Sequence, residues 1–303
     1  MWRAGRAAAA SLIVLSGIAG AAIAPGSAKQ VASLVAAAPK ITTLPTALTP
    51  SLSRASGDNA LRTAPAIAPC IAGGTTMPAC VFGDTNGTRT MVLFGDSHAL
   101  MWFPAINAIA KAARWRLVAL MGFGCPVADV TIWNIVTNGP DPQCARFRTA
   151  MIARIDKLNP ALVVMSEGFF TLDASHAAIT DAQWTAALER SLAALHSPSM
   201  KKVLIGNTIL VPNPIACLAA SPGAIQTCSK PEANATYTAQ RAAEKTAAKA
   251  ESVPYIDEIP WTCSSVCTVV IGRMVAYNSA GHLSATYAAY LAGVLRAALR
   301  PSM

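Results

Sequence analysis

The sequence predicts an α/β domain, a parallel sheet wrapped by helices on both faces. Short β-branched and apolar runs of strand length recur along the chain, and stretches of helical length lie between them. Apolar residues make up 53% of the chain and charged residues 13%, ample material for a core on both sides of a sheet.

The strand runs are Thr90 to Phe94, Arg116 to Met121, Ala161 to Met165, Lys202 to Gly206 and Val253 to Ile256. Each is apolar without alternation, the pattern of a strand buried on both faces. Helices are predicted over Phe103 to Arg114, Arg146 to Lys157, Asp181 to His196, Thr236 to Glu251 and Ser284 to Leu299. Strand-helix alternation makes the sheet parallel. No internal repeat is present.

Arg3 and Arg6 precede a stretch from Ala7 to Ala24 that carries no charge, the pattern of an export signal. Cleavage after Ala24 would place Pro25 first in the mature chain, which hinders a signal peptidase, so the expected cut follows Gly26-Ser27-Ala28. An uncleaved anchor is the alternative, because the apolar run lies at the low edge of spanning length. Residues 1–28 are therefore expected to be a signal peptide. Residues 29–68, rich in Ala, Pro, Ser and Thr, are expected to be a tether with too few large apolar side chains to offset the entropy of ordering. Residues 69–303 are the expected folded domain.

Eight cysteines follow the export signal, an even number that reads as four disulfides of an oxidising compartment. Pairing of neighbours gives Cys70 with Cys80, Cys125 with Cys144, Cys217 with Cys228 and Cys263 with Cys267; the sequence alone leaves other connectivities open. Cys-x-x-Cys knuckles are absent, so no metal site is expected, and no cofactor motif occurs. The net charge of +9 is scattered along the chain, which argues against a nucleic-acid surface and suits a mildly basic one facing acidic envelope polymers.

The sharpest local signal is Met91-Val-Leu-Phe94 followed by Gly95-Asp96-Ser97-His98 and a predicted helix. A serine at the carboxyl end of a parallel strand is exposed where ligands bind in such sheets, beside helix-terminal amides able to hold an oxyanion. Taken alone, Asp96 or Ser97 could equally be a helix cap. The second signal is His282, in Tyr277-Asn-Ser-Ala-Gly-His282-Leu-Ser, one of only four histidines and placed in a loop before the last helix. By itself it reads as a surface histidine. Paired with Ser97, it supplies the proton acceptor that an unactivated hydroxyl requires.

These residues resemble the SGNH (GDSL-like) hydrolases, and within them the exported SGNH domain attached to many bacterial membrane O-acyltransferases. Phe94 to His98 resembles the nucleophile block and His282 to Tyr287 the terminal histidine block. Gly124-Cys-Pro126, Leu204 to Thr208, and Tyr255 to Cys263 fall where such domains carry similar motifs, so the likeness runs from about Cys70 to the end. The resemblance implies a flavodoxin-like three-layer α/β/α sandwich with a parallel central sheet. It also implies Ser97 as nucleophile, His282 as base, and the N–H groups of Ser97 and Gly124, or less favourably Gly122, as oxyanion donors. The family's side-chain donor after the third strand, often Asn, has no counterpart in Met165 to Phe169, and Asn207 sits one strand block later.

The family also places an Asp three residues before its histidine, and here that position is Ser279, with Asn278 beside it. Three arrangements fit this departure: Ser279 or a backbone carbonyl orients His282, or Asp257 reaches it from the preceding strand, or the site is weak or inactive. The expected function is an exported serine acyl-ester hydrolase or O-acyltransferase acting on O-acyl groups of cell-envelope glycans or glycolipids, with a membrane acyltransferase as an expected partner. The alternative is a glycan-binding or acyl-relay module of the same fold.

Overall fold

The structure is a computed structural model that describes residues 23–72 and 78–303. Most of the expected signal peptide, residues 1–22, lies outside the described residues.

Among the described residues three α-helices come first: α1 (Ala28–Ala37), α2 (Leu52–Ala55) and α3 (Ala60–Thr63). The segment expected to be a tether is folded onto the body. Val31 and Val35, one helical turn apart on α1, are buried with Ala38, Ala55, Ala60 and Ile67 in the main core. Backbone bonds from Leu44 to Pro222, Thr49 to Arg273 and Val275 back to Thr49 fix the stretch between them. Although large side chains are few here, small alanines allow close packing, so a few valines and isoleucines suffice to fold the stretch. Ser27 caps α1 in a reciprocal capping box with Gln30, and the Gly26 N–H donates to the Tyr290 carbonyl at 2.8 Å.

The sheet contains β1 (Ile71–Ala72), β2 (Val81–Gly83), β3 (Arg89–Gly95), β4 (Trp115–Gly122), β7 (Leu162–Ser166), β8 (Lys201–Ile205) and β9 (Tyr255–Ile256). A small hairpin, β5 (Trp133–Asn134) and β6 (Gly139–Pro140), lies outside it. The parallel strands run in the spatial order β4-β3-β7-β8-β9, with β1 parallel and β2 antiparallel along the outer edge of β4. Counted from β3, that is order 2-1-3-4-5, the flavodoxin-like winding, and its switch point lies between β3 and β7.

Side chains alternate across this sheet. Met91 and Leu93 of β3 join the core on one face, beneath α4 (Ser97–Ala113), α1 and the C-terminal helices α9 (Ala285–Tyr290) and α10 (Ala292–Leu299). Val92 and Phe94 join the core on the other face, against α5 (Pro142–Leu158), α6 (Asp181–Ala194) and α8 (Thr238–Ala250). Both faces are covered, which is why the strands read as continuous apolar runs. The helix α7 (Pro214–Ala220) packs near the hairpin β10 (Tyr277–Ser279) and β11 (His282–Leu283).

Helix α4 begins at Ser97, six residues before its predicted start at Phe103, because the Asp96 side chain caps it by accepting the His98 N–H at 2.7 Å. Gly95 is required immediately before it. Its φ is +146°, and a Cβ there would lie 1.9 Å from the Ser166 carbonyl oxygen of the neighbouring strand. Four disulfides join Cys70 to Cys80, Cys125 to Cys144, Cys217 to Cys228 and Cys263 to Cys267.

Candidate active site

Ser97 follows β3 at the switch point, and His282 opens β11, 185 residues later. The fold brings them together: His282 Nε2 lies 2.9 Å from Ser97 Oγ. The other ring nitrogen, Nδ1, lies 3.1 Å from the Ala280 carbonyl oxygen and 3.4 Å from Ser279 Oγ. A carbonyl oxygen can only accept, so the proton belongs on Nδ1, and Nε2 faces the serine hydroxyl with a free lone pair. Burial lowers the His282 pKa from its ordinary value, and the Ala280 carbonyl partly opposes that shift.

Asp257 is not near this pair. Its carboxylate is held by Arg241 and by Lys245 at 2.7 Å, and it accepts the Ile259 N–H at 3.3 Å. It caps the turn after β9 and belongs to an ion cluster with Arg241 and the buried Glu258. The expected role as acid is therefore corrected: sequence proximity to the last strand gave the position, and two neighbouring cations, invisible in a linear motif, take the carboxylate. Asn278 and Ser279 are both at the site, with Ser279 Oγ donating to Asn278 Oδ1 at 3.0 Å.

Of the two candidate glycine donors, Gly122 is a packing residue, since a Cβ there would meet the Phe147 ring at 2.8 Å. Gly124 has φ +66° and open space where a side chain would be. The Cys125–Cys144 bond beside it ties this turn to α5. Ser97's own amide lies in the first turn of α4, where helix amides have no intrahelical acceptor. Asn207 lies one layer behind the pair: it is wholly buried, its N–H donates to Glu244, its carbonyl accepts from Arg241, and its side chain sits beside His98, whose ring packs against that of His282.

Sequence reasoning missed three parts of the site. Asp96 is its hub, with one carboxylate oxygen on the His98 N–H and the other on the Gly168 N–H, both at 2.7 Å, so it locks β3 to the turn after β7. Burial pushes its pKa up to about 7 against those two donors. The segment before the expected domain is the second part. Ser56, Asn59 and Leu61 line a cavity of about 310 Å³ together with Ser97, Met101, Phe123 and His282. Phe123 is the third, half-exposed between two glycines at the end of β4, and it also lines a neighbouring apolar cleft of about 570 Å³ with Gly124, Ile132, Phe169 and Phe170. An aromatic between two glycines at a strand's carboxyl end was the available signal.

Among the described residues, no cluster of His, Cys, Asp and Glu side chains is placed to hold a metal ion, and no helix is long and apolar enough to cross a membrane. The family described as "SGNH domain (fused to AT3 domains)" matches residues 66–297. No curated protein matches the chain. Among solved structures, the periplasmic domain of a lipopolysaccharide acetyltransferase from Salmonella ser. Paratyphi A is similar at 14% identity and a TM-score of 0.54, over 69% of this chain and 82% of that one. A GDSL-like lipase from Bacteroides thetaiotaomicron is similar at 13% identity and a TM-score of 0.42, over 71% of this chain and 89% of that one.

Proposed function

The chain belongs to the SGNH domain family, and from that premise we propose that it is an exported serine acyl-ester hydrolase or O-acyltransferase acting on O-acylated envelope glycans or glycolipids. The observation that carries this reading is the 2.9 Å contact between His282 Nε2 and Ser97 Oγ at the switch point of the sheet.

His282 takes the Ser97 proton as Oγ attacks the ester carbonyl carbon. The negative charge that develops on the carbonyl oxygen is held by the Ser97 and Gly124 N–H groups. As the tetrahedral adduct collapses, the ester C–O bond breaks, the leaving alcohol takes the proton from His282, and the acyl group stays on Ser97. His282 then removes a proton from water or a sugar hydroxyl as that oxygen attacks the acyl carbon; the acyl–Oγ bond breaks and His282 returns the proton to Ser97 Oγ. Four disulfides support an oxidising compartment, and the family's association with AT3 domains supports a membrane acyltransferase as donor.

One observation favours a second reading, a slow acyl-relay or glycan-binding module. The groups within hydrogen-bond reach of Nδ1 are a carbonyl and a hydroxyl, neither a carboxylate, and a neutral partner stabilises imidazolium less well. Hydrolysis of a chromogenic acetyl ester, abolished in Ser97→Ala, is expected for the enzyme. Folded protein that turns over no acyl ester leaves the binding module.

A further inference from the structure

We infer that Asn278, anchored on the main chain of Asp58, is a positioning residue that holds Ser279 as an acceptor toward His282 and so reinforces the tautomer the Ala280 carbonyl favours, where a carboxylate is missing. This rests on the reading of Ser97 and His282 as nucleophile and base.

The direction of each hydrogen bond is forced by the one before it. The Asp58 carbonyl oxygen can only accept, so the end of the Asn278 amide that meets it at 2.9 Å is the Nδ2 amino group. The amide oxygen is thereby turned toward Ser279, 3.0 Å away, and it too can only accept. The Ser279 proton therefore points at Asn278. Ser279 Oγ is left with lone pairs on the side facing His282 Nδ1, at 3.4 Å, next to the Ala280 carbonyl at 3.1 Å. Both neighbours of Nδ1 then accept, the proton stays on Nδ1, and the free lone pair of Nε2 faces Ser97.

Without Asn278, the Ser279 hydroxyl is free to turn and donate to Nδ1. That donation competes with the Ala280 carbonyl and brings in the opposite tautomer, with an N–H at Nε2 facing Ser97 and no base. Asp58 is itself fixed on the far side of the histidine. Its carbonyl also accepts the Ala285 N–H at 2.8 Å, and its carboxylate accepts the Thr286 N–H at 3.0 Å. Asp58 thus straddles the loop that carries His282, and both Asp58 and Asn278 are buried. Asp58 lies upstream of residues 66–297, the part matched by the family, so this anchor comes from outside the shared domain.

The test is nitrogen-15 NMR of histidine-labelled protein above the His282 titration, read beside kcat on a chromogenic acetyl ester, with His282→Gln assigning the signal among the four histidines. Wild type should show the Nδ1–H form. Asn278→Leu should bring in the Nε2–H form and lower kcat roughly tenfold, about one hydrogen bond's worth. Ser279→Ala, which removes the competing hydroxyl, should keep the Nδ1–H form and restore it when combined with Asn278→Leu. A purely structural loss would not be rescued that way.

Asn278→Asp is close in size, keeps an acceptor toward Ser279 and loses the donor toward Asp58, so its Tm should fall while the tautomer holds. This variant decides the matter if Asn278→Leu does not fold. An unchanged tautomer in Asn278→Leu, no rescue in the double variant, or the Nε2–H form in Asn278→Asp would each overturn the inference. The NMR readout needs no turnover. An Nδ1–H wild type inactive on every ester would sink the enzyme reading and leave the positioning role standing.

Discussion

The imidazole of His98 lies against that of His282, with ring centroids 4.7 Å apart and the planes inclined by 56°. Burial, reinforced by the nearby His282, lowers the His98 pKa to about 3. His98 is therefore neutral at working pH, and the pocket holds one titrating imidazole rather than two. The His282 pKa is also lowered from its ordinary 6.5, and its neutral form is the proposed base. Activity should rise with pH through a single acid limb whose midpoint lies below 6.5, and remain high above it. The pH profile of kcat/KM on a chromogenic ester checks this; a limb involving two protons would bring in the buried Asp96, whose pKa burial raises to about 7, ahead of His98.

Ser279→Asp should raise turnover. A carboxylate at that position reaches Nδ1, stabilises the imidazolium, and moves the acid limb to higher pH. The ceiling is about 10⁴, the cost of losing a triad acid in a protease. Asp257→Asn should leave kcat within about twofold of wild type, since Asp257 pairs with Arg241 and Lys245 and not with His282. Steady-state kinetics on the two variants separate these outcomes, Asp257 being so paired.

Arg241→Leu should destabilise the fold by about 3–5 kcal/mol, because it leaves Glu258 fully buried without its cation. Adding Glu258→Leu should recover much of that loss, since a buried pair replaced by apolar side chains is often neutral. Urea denaturation of the single and double variants measures the recovery.

Replacing Cys125 and Cys144 together with Ser should cost about 2–4 kcal/mol and also reduce kcat/KM, since the turn carrying Gly124 loses its tie to α5. Replacing Cys217 and Cys228 should cost stability with little effect on kcat, as that bond closes a loop beyond α7. Peptide mapping without reductant verifies the pairing beforehand.

The sheet was legible because strands buried on both faces carry an unbroken apolar signature; Met91 to Phe94 could hardly be anything else. Ser97 and His282 were legible because each sits in a short motif with a fixed position relative to a strand or helix. Asp58 was not, since its role rests on a backbone carbonyl, a group every residue possesses. The packed N-terminal stretch was hidden by its alanines, which contribute little apolar area each yet permit close approach. Asp96 was visible only as a cap, because its second bond, to Gly168, depends on which strand lies beside β3.

The bonds that complete the site span most of the chain: 185 residues from Ser97 to His282, 220 from Asp58 to Asn278 and 228 from Asp58 to Thr286. Closures this distant come late, after nearer contacts have reduced the loops that must be ordered. A chain emerging amino end first carries every strand of the main sheet, through Ile256, before His282 exists. On the proposed reading, the nucleophile is present early and inert, because neither its base nor Asn278 and Ser279 beside that base have arrived. Reactivity at Ser97 is in this sense a clock for folding, switched on when the two ends of the polypeptide meet.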